Sequence, residues 1–128
     1  MRSLAREVVF KYLFSRLFNQ QDEGLFAVLS KNLDDSDKKF ALNLLKTVME
    51  NQDGFLTDLE TLSENFKVGR IFAADKCAIF IGMAELKFMQ ETPVAVVIDE
   101  AVKLSAKYST ENSTDFVNGI LAEYVKMT

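Results

Sequence analysis

Arg2, Arg6 and Arg16 are the side chains near the start of the chain best suited to hold a charged partner. Wound at 100° per residue, they fall within an arc of roughly 80°, with Val9 and Leu13 between them. Lys11 points elsewhere, four residues after Glu7, at the spacing of a helix ion pair. Residues 1–16 set Arg2, Arg6, Lys11 and Arg16 against Glu7 alone, a sum of +3, whereas residues 22–64 hold four Lys against ten carboxylates, a sum of −6. Such asymmetry is what an interaction face needs, although a small charge cluster is also what an ordinary solvated helix face carries. Arg2 and Arg6 sit at a helix N-terminus, where the macrodipole disfavours cations by roughly 0.3 to 1 kcal/mol. That placement weighs toward a functional reason.

Catalytic chemistry is poorly provided for. Histidine is absent, which removes the commonest general base and metal ligand. The single Cys77 makes neither an internal disulfide nor a zinc site of ordinary composition. No phosphate-binding glycine loop, dinucleotide fingerprint or nucleophile elbow occurs. The sequence therefore predicts a non-enzyme with no metal and no cofactor. No run of about 18 apolar residues is available to span a membrane. Residues 1–19, interrupted by Arg6, Lys11 and Arg16 and followed by no small-residue cleavage site, read as structure and not as a signal peptide. A cytoplasmic protein is the expectation.

The elements that must position these groups are helices. The chain has 128 residues, 48% of them apolar, with eleven Phe, five Gly and one Pro, which suits one domain of packed helices spanning residues 1–128. Segment 3–18 is apolar around nearly its whole circumference and reads as a central helix. A short helix near 24–31 follows, then a longer one from 36 to 52 opened by Asp35 or Ser36 as N-cap. Asp53-Gly54 interrupts the pattern, and 55–65 resumes it with Phe55, Leu59 and Leu62. The run from Asp75 to Met89 reads as a second buried helix. Thr92-Pro93 starts the next, with Thr92 as cap and Pro93 at the first helical position. Its apolar face holds Val94, Val97, Ile98, Ala101, Leu104 and Tyr108, and its polar face Asp99, Glu100, Lys103 and Lys107.

The Asn118-Gly119 pair is the usual signature of a hairpin turn. Here Phe116, Val117, Ile120, Leu121 and Tyr124 fall within an arc of about 140° at helical winding, so the segment reads as helix with Asn118 and Gly119 on its far side. A glycine inside a helix costs roughly 1 kcal/mol relative to Ala, which predicts that another group approaches the backbone there.

These residues carry a resemblance. A-R-E at Ala5–Glu7, M-A-E-L at Met83–Leu86, T-P-V-A-V-V-I-D-E-A-V-K-L-S-A-K-Y at Thr92–Tyr108 and D-F-V-N-G-I-L at Asp115–Leu121 resemble the NusB transcription antitermination factors. The resemblance implies an all-α fold of two three-helix subdomains packed across each other. It implies a protein that binds single-stranded boxA RNA of ribosomal RNA leader transcripts as a heterodimer with the ribosomal protein NusE, a complex that joins the elongating RNA polymerase; by itself the chain is a monomer or homodimer, two states between which the sequence does not choose. Arg6 matches the Arg of the family's A-R-E, a phosphate contact, with Arg2 and Arg16 beside it. Phe116, Asn118 and the loop before them, Ser109–Thr114 with Asn112 and Ser113, match the segment that lines the RNA, and Lys107 and Tyr108 just before that loop are read as RNA contacts with it. Unpaired RNA calls for cations along its backbone and aromatic or amide groups that reach splayed bases.

Several of these residues have structural readings as well. Phe116 lies on the apolar face and serves as core, as a base platform or as both. Asn118 is either solvated or set against a base edge. Asp75 is a helix cap or a contact to the partner protein. Glu85 snorkels, pairs with Lys67, Arg70 or Lys76, or meets the same partner. Family members commonly carry an arginine cluster before A-R-E, an Arg where this chain has Phe80 and a Tyr where it has Ala84. Fewer phosphate contacts mean weaker binding with a shallower salt slope. This leaves two readings, an RNA-binding antitermination factor dependent on its partner and a diverged helical module that binds protein only.

Overall fold

A computed structural model describes residues 2–18, 24–66 and 71–128. The described residues form α1 (Arg2–Phe18), α2 (Leu25–Leu29), α3 (Asp35–Ser63), a 3₁₀ turn (Glu64–Phe66), α4 (Ala73–Phe88), α5 (Val94–Tyr108) and α6 (Ser113–Met127). α1 to α3 make one three-helix subdomain and α4 to α6 the other, packed across each other through α3 on α4 and α1 on α4. This is the all-α arrangement that the family resemblance implies.

α4 lies at the centre because its sequence gives it no polar face. Every residue from Ala74 to Leu86 except Lys76 is buried, and the helix packs on α1, α3, α5 and α6. Gly82 brings α6 close: a Cβ there would lie 2.7 Å from Leu121 Cδ1.

Several helix boundaries differ from expectation. Asp53-Gly54 does not interrupt α3, which runs unbroken for 29 residues. Phe55, Leu59 and Leu62 continue the buried stripe of Phe40, Leu44 and Val48, and packing along its whole length outweighs the roughly 1 kcal/mol that one glycine costs. The N-cap is Asp34, whose carboxylate accepts the Asp37 N–H at 2.8 Å, one residue before the pair expected. At α5 the cap is Pro93, not Thr92, and no side chain bonds there. Proline's extended ψ of 143° delays the helix by one residue, and its carbonyl accepts from Val96 and Val97 at 3.0 and 3.1 Å.

α6 is helical through Asn118-Gly119, with Val117, Ile120, Leu121 and Tyr124 buried. The group that approaches Gly119 is the Phe66 ring: a Cβ would stand 2.7 Å from its Cε1. Phe66 in turn meets Phe116 edge-on, ring centroids 5.9 Å apart.

Candidate nucleic-acid interface

The first turns of α1 and the last turns of α5 meet along a seam. Ser3, Arg6, Glu7 and Phe10 lie on one face of α1 at i, i+3, i+4, i+7, and Glu100, Leu104, Lys107 and Tyr108 on one face of α5 at i, i+4, i+7, i+8, spacings that stack side chains over successive turns. Ser3 donates its hydroxyl to Glu100. Arg6 grips Glu85 with two N–H donors, at 2.6 and 2.8 Å, and Glu100 with a third at 3.1 Å. Glu7 accepts from Lys107 Nζ at 2.5 Å and from the Tyr108 hydroxyl at 2.8 Å. The Tyr108 ring stacks on Phe10 with centroids 4.7 Å apart.

These pairings set the charge states. Burial disfavours the Arg6 cation, but hydrogen bonds and charge from Glu85, then Glu100, outweigh it and hold its pKa above the ordinary value. The Lys107 hydrogen bond holds the Glu7 carboxyl below the usual range against the opposing effect of burial, with Tyr108 helping. Lys107 is raised in return by Glu7. Tyr108 is raised by burial first and by Glu7 second. At neutral pH Arg6 and Lys107 are therefore cations, Glu7 a carboxylate and Tyr108 a neutral hydroxyl.

The seam is flanked by two hollows. One, of about 330 Å³, is lined by Ser3, Leu4, Arg6 and Glu7 of α1 and by Glu100, Lys103, Leu104 and Lys107 of α5. The other, of about 580 Å³, lies beyond Tyr108 between α1, the start of α4 and the α5–α6 turn. In that turn the hydroxyls of Ser109 and Thr110 meet the Ser113 hydroxyl at 3.1 and 2.9 Å.

The residues singled out in the sequence do not all meet here. The arginine stripe exists, but it is turned onto neighbouring helices, α3 for all three and α4 and α5 as well for Arg6. Arg2 and Arg6 lie over the Phe40 ring, 4.5 and 5.3 Å from its centroid, and Arg16 donates to Met49 Sδ at 3.4 Å. Arg6 is 3% exposed, so its guanidinium is committed to carboxylates and offers nothing to a phosphate in this conformation. Arg2 reaches Glu91 at 3.4 Å on the surface. Lys107, Tyr108 and Ser113 stand around the seam and its adjoining turn. Asn112 is exposed at the start of α6 and makes no capping bond. Phe116 and Asn118 ride on α6, which packs on α3, α4 and α5; Phe116 is half-buried against Phe66 and Asn118 is exposed.

Asp75 and Glu85, expected to face a partner protein, point inward. Asp75 is 3% and Glu85 1% exposed. Asp75 accepts the Ser105 hydroxyl at 2.8 Å and caps nothing, since Phe72 holds the cap position of α4. Glu85 takes Arg6 as its partner; Lys67 and Arg70 lie outside the described residues. Glu7 likewise bonds to α5 and not to Lys11. Sequence reasoning missed Ser3, Glu7 and Glu100 as seam residues, because Glu100 and Lys107 read as the outer face of an amphipathic helix. The signal available was the matching spacing of carboxylates and cations on the two helices. Among the described residues no cluster of ligands could hold a metal, and no helix is long and apolar enough to cross a membrane.

The geometry has close counterparts. The model of the NusB family matches residues 2–126. Transcription antitermination protein NusB of Methylacidiphilum infernorum (isolate V4) is 32% identical over 130 residues, covering 98% of this chain and 90% of the relative. Its namesake in Geobacter sulfurreducens is 32% identical over 128 residues, covering 95% and 91%. The solved structure of T. maritima NusB superposes with a TM-score of 0.89 at 30% identity, over 98% of this chain and 91% of that one. A crystal structure of antitermination factors NusB and NusE in complex with dsRNA superposes with a TM-score of 0.84 at 25% identity, over 99% and 97%. With one helical architecture and one sequence pattern running from end to end, the chain belongs to the NusB family.

Proposed function

We propose that this protein is an RNA-binding transcription antitermination factor. It takes single-stranded boxA-type RNA of ribosomal RNA leaders together with NusE and acts with that partner on the elongating RNA polymerase. The observation that carries the reading is the full-length likeness to a NusB crystallised with NusE and RNA, at 25% identity over 99% of this chain. The seam supports it locally. Exposed Lys103 and Lys107 border a hollow on α5, and the turn that follows presents hydroxyls and Asn112 to solvent-borne ligands. Cations serve the RNA backbone, whereas hydroxyl and amide groups serve sugar and base edges.

One observation favours the second reading, a protein-binding module without RNA affinity of its own. Arg6 is sealed against two carboxylates, and the chain carries a net charge of −4. Titration of labelled boxA-type RNA, with and without NusE and at two salt concentrations, separates the readings. The expected outcome is binding that NusE strengthens, that a scrambled RNA lacks, and whose log-log salt slope is about −0.7 per phosphate engaged. Equal binding of boxA-type and scrambled RNA in the presence of NusE would remove the RNA reading and leave the protein module.

A further inference from the structure

α3 carries a glycine that nothing within this chain explains. Gly82 lies against Leu121 and Gly119 against Phe66, but a Cβ on Gly54 would meet nothing within 4 Å. A glycine in mid-helix weakens the helix relative to alanine, so its presence calls for a close approach to the backbone, and no group of this molecule makes one. Gly54 stands instead on the wall of a hollow of about 170 Å³ between the middle of α3 and the C-terminal end of α4. Pockets for drug-sized molecules start at roughly 300 Å³, so this one has room for a single long side chain. Glu50, Asp53 and Asp58 bring three carboxylates to it, none of them held by a hydrogen bond or ion pair among the described residues. Phe88, also on its wall, rests on Phe55 with ring centroids 6.1 Å apart, yet is 49% exposed. The Lys87 ammonium already lies over that ring, 5.5 Å from its centroid. The Tyr124 hydroxyl is buried without a hydrogen-bond partner; burial first, and then the charge of nearby Asp58, pushes its pKa up to about 12. The end of α4 adds the negative pole of its macrodipole.

We propose that this hollow docks one arginine side chain from a basic segment of a partner protein, with its guanidinium on the Phe88 ring and bonded to Asp58 and Tyr124, and the segment's backbone drawn against Gly54. Arginine suits the site better than lysine, because a planar guanidinium stacks on an aromatic face and donates to several acceptors at once. The sum of −6 over residues 22–64 favours the approach of a basic segment. Three carboxylates turn away a nucleic-acid backbone, and a second copy of this chain, at a net charge of −4, is repelled as well. The site lies at the opposite end of α4 from the hollow beyond Tyr108 and does not depend on the RNA reading.

The test follows the backbone amides of the isotope-labelled full chain by NMR while a blocked glycyl-arginyl-glycine peptide, its citrulline and lysine counterparts, and spermidine are titrated in separately. The arginine peptide should move the amides of Gly54, Asp58, Lys87 and Phe88, the lysine peptide should do so more weakly, and the citrulline peptide, which keeps the shape without the charge, should not. Asp58→Asn should weaken arginine binding roughly two- to fivefold, the weight of one exposed charge pair. Lys87→Gln, which takes a competing cation off the ring, should strengthen it by a similar factor. Gly54→Leu should fill the hollow and weaken binding roughly tenfold or more, while raising the thermal midpoint through helix propensity; a glycine needed only for folding would lower that midpoint when replaced. If no peptide moves the Gly54 amide, if citrulline binds as well as arginine, or if Gly54→Leu binds the arginine peptide as the parent does, the site is wrong. If spermidine moves the same amides as strongly as the arginine peptide, the hollow takes a free polyamine and the docking proposal fails. If sedimentation finds a dimer that Gly54→Leu dissociates, a second copy covers this face and the proposal fails likewise.

Discussion

Arg6 is a cation whose position along the chain suggests a phosphate and whose surroundings supply two carboxylates. At 2.6 and 2.8 Å to a Glu85 that is 1% exposed, the pair behaves as one buried unit, and breaking one side leaves the other charge unpaired. Arg6→Met is therefore expected to lower stability by about 3–5 kcal/mol, and Arg6→Met combined with Glu85→Leu to recover most of that; urea denaturation of the two variants measures both. Glu7 offers a pH test on the surface side of the same seam. Its folded pKa is depressed by Lys107 and Tyr108, so its contribution is present above the unfolded carboxylate value, about 4.3, and is lost as pH falls through the lower folded value. Lys107 and Tyr108 are raised, so their share is present below about pH 10 and is lost as pH rises through their folded values. Glu7→Gln should then cost up to about 1 kcal/mol at pH 7, and chemical denaturation at pH 3 should show the gap closing. The helical wheel put Arg2, Arg6 and Arg16 on one stripe correctly. It could not say that the stripe meets Phe40 and Met49, because a wheel gives angle about an axis and no neighbour.

At the scale of the helix, two glycines of similar local sequence cost have opposite reasons. Gly54 lies on the open side of α3, where a Cβ would meet nothing within 4 Å. Gly119 lies under Phe66, where the same atom would stand at 2.7 Å. Gly54→Ala should raise stability by about 0.5–1 kcal/mol through helix propensity and reduced freedom in the unfolded chain. Gly119→Ala should lower it by about 1–3 kcal/mol, since the Phe66 ring, already edge-on to Phe116, must shift. Thermal unfolding of the two variants gives the signs directly. Helix existence, the apolar stripes and the helical reading of Asn118-Gly119 were legible because they follow from a period. The length of α3 was not, because its continuity is decided by what α1 and α4 lay along it, and propensity at Asp53-Gly54 is the weaker effect.

Across the whole molecule, α4 acts as the shared core and leaves the outer faces of the other helices to carry function. Of the arginines that would make α1 an RNA-binding strip, Arg2 and Arg16 lie against Phe40 and Met49 of α3 and Arg6 is held by Glu85 and Glu100, so the exposed cations on the α5 side of the seam are Lys103 and Lys107. A net charge of −4 gives the free protein a long-range field that repels a polyanion, and under the proposed function NusE is the component that overcomes it. The salt titration proposed above should accordingly show a slope well short of what a cluster of arginines would give, near −0.7 for each of only a few phosphates, read from binding at 50 and 200 mM salt.

What the sequence determined by itself is the helical inventory, the amphipathic faces and the order of the family motifs, all of which are local or periodic and so survive without coordinates. Only the tertiary structure decided where the ends of those side chains go. Arg6 meets Glu85 across 79 positions of chain and Glu7 meets Lys107 across 100, and Asp75 and Glu85 are drawn inside. The physical reason is that a buried charge must be matched where it is buried, and the match is chosen by helix crossing, which no spacing along one strand of sequence encodes.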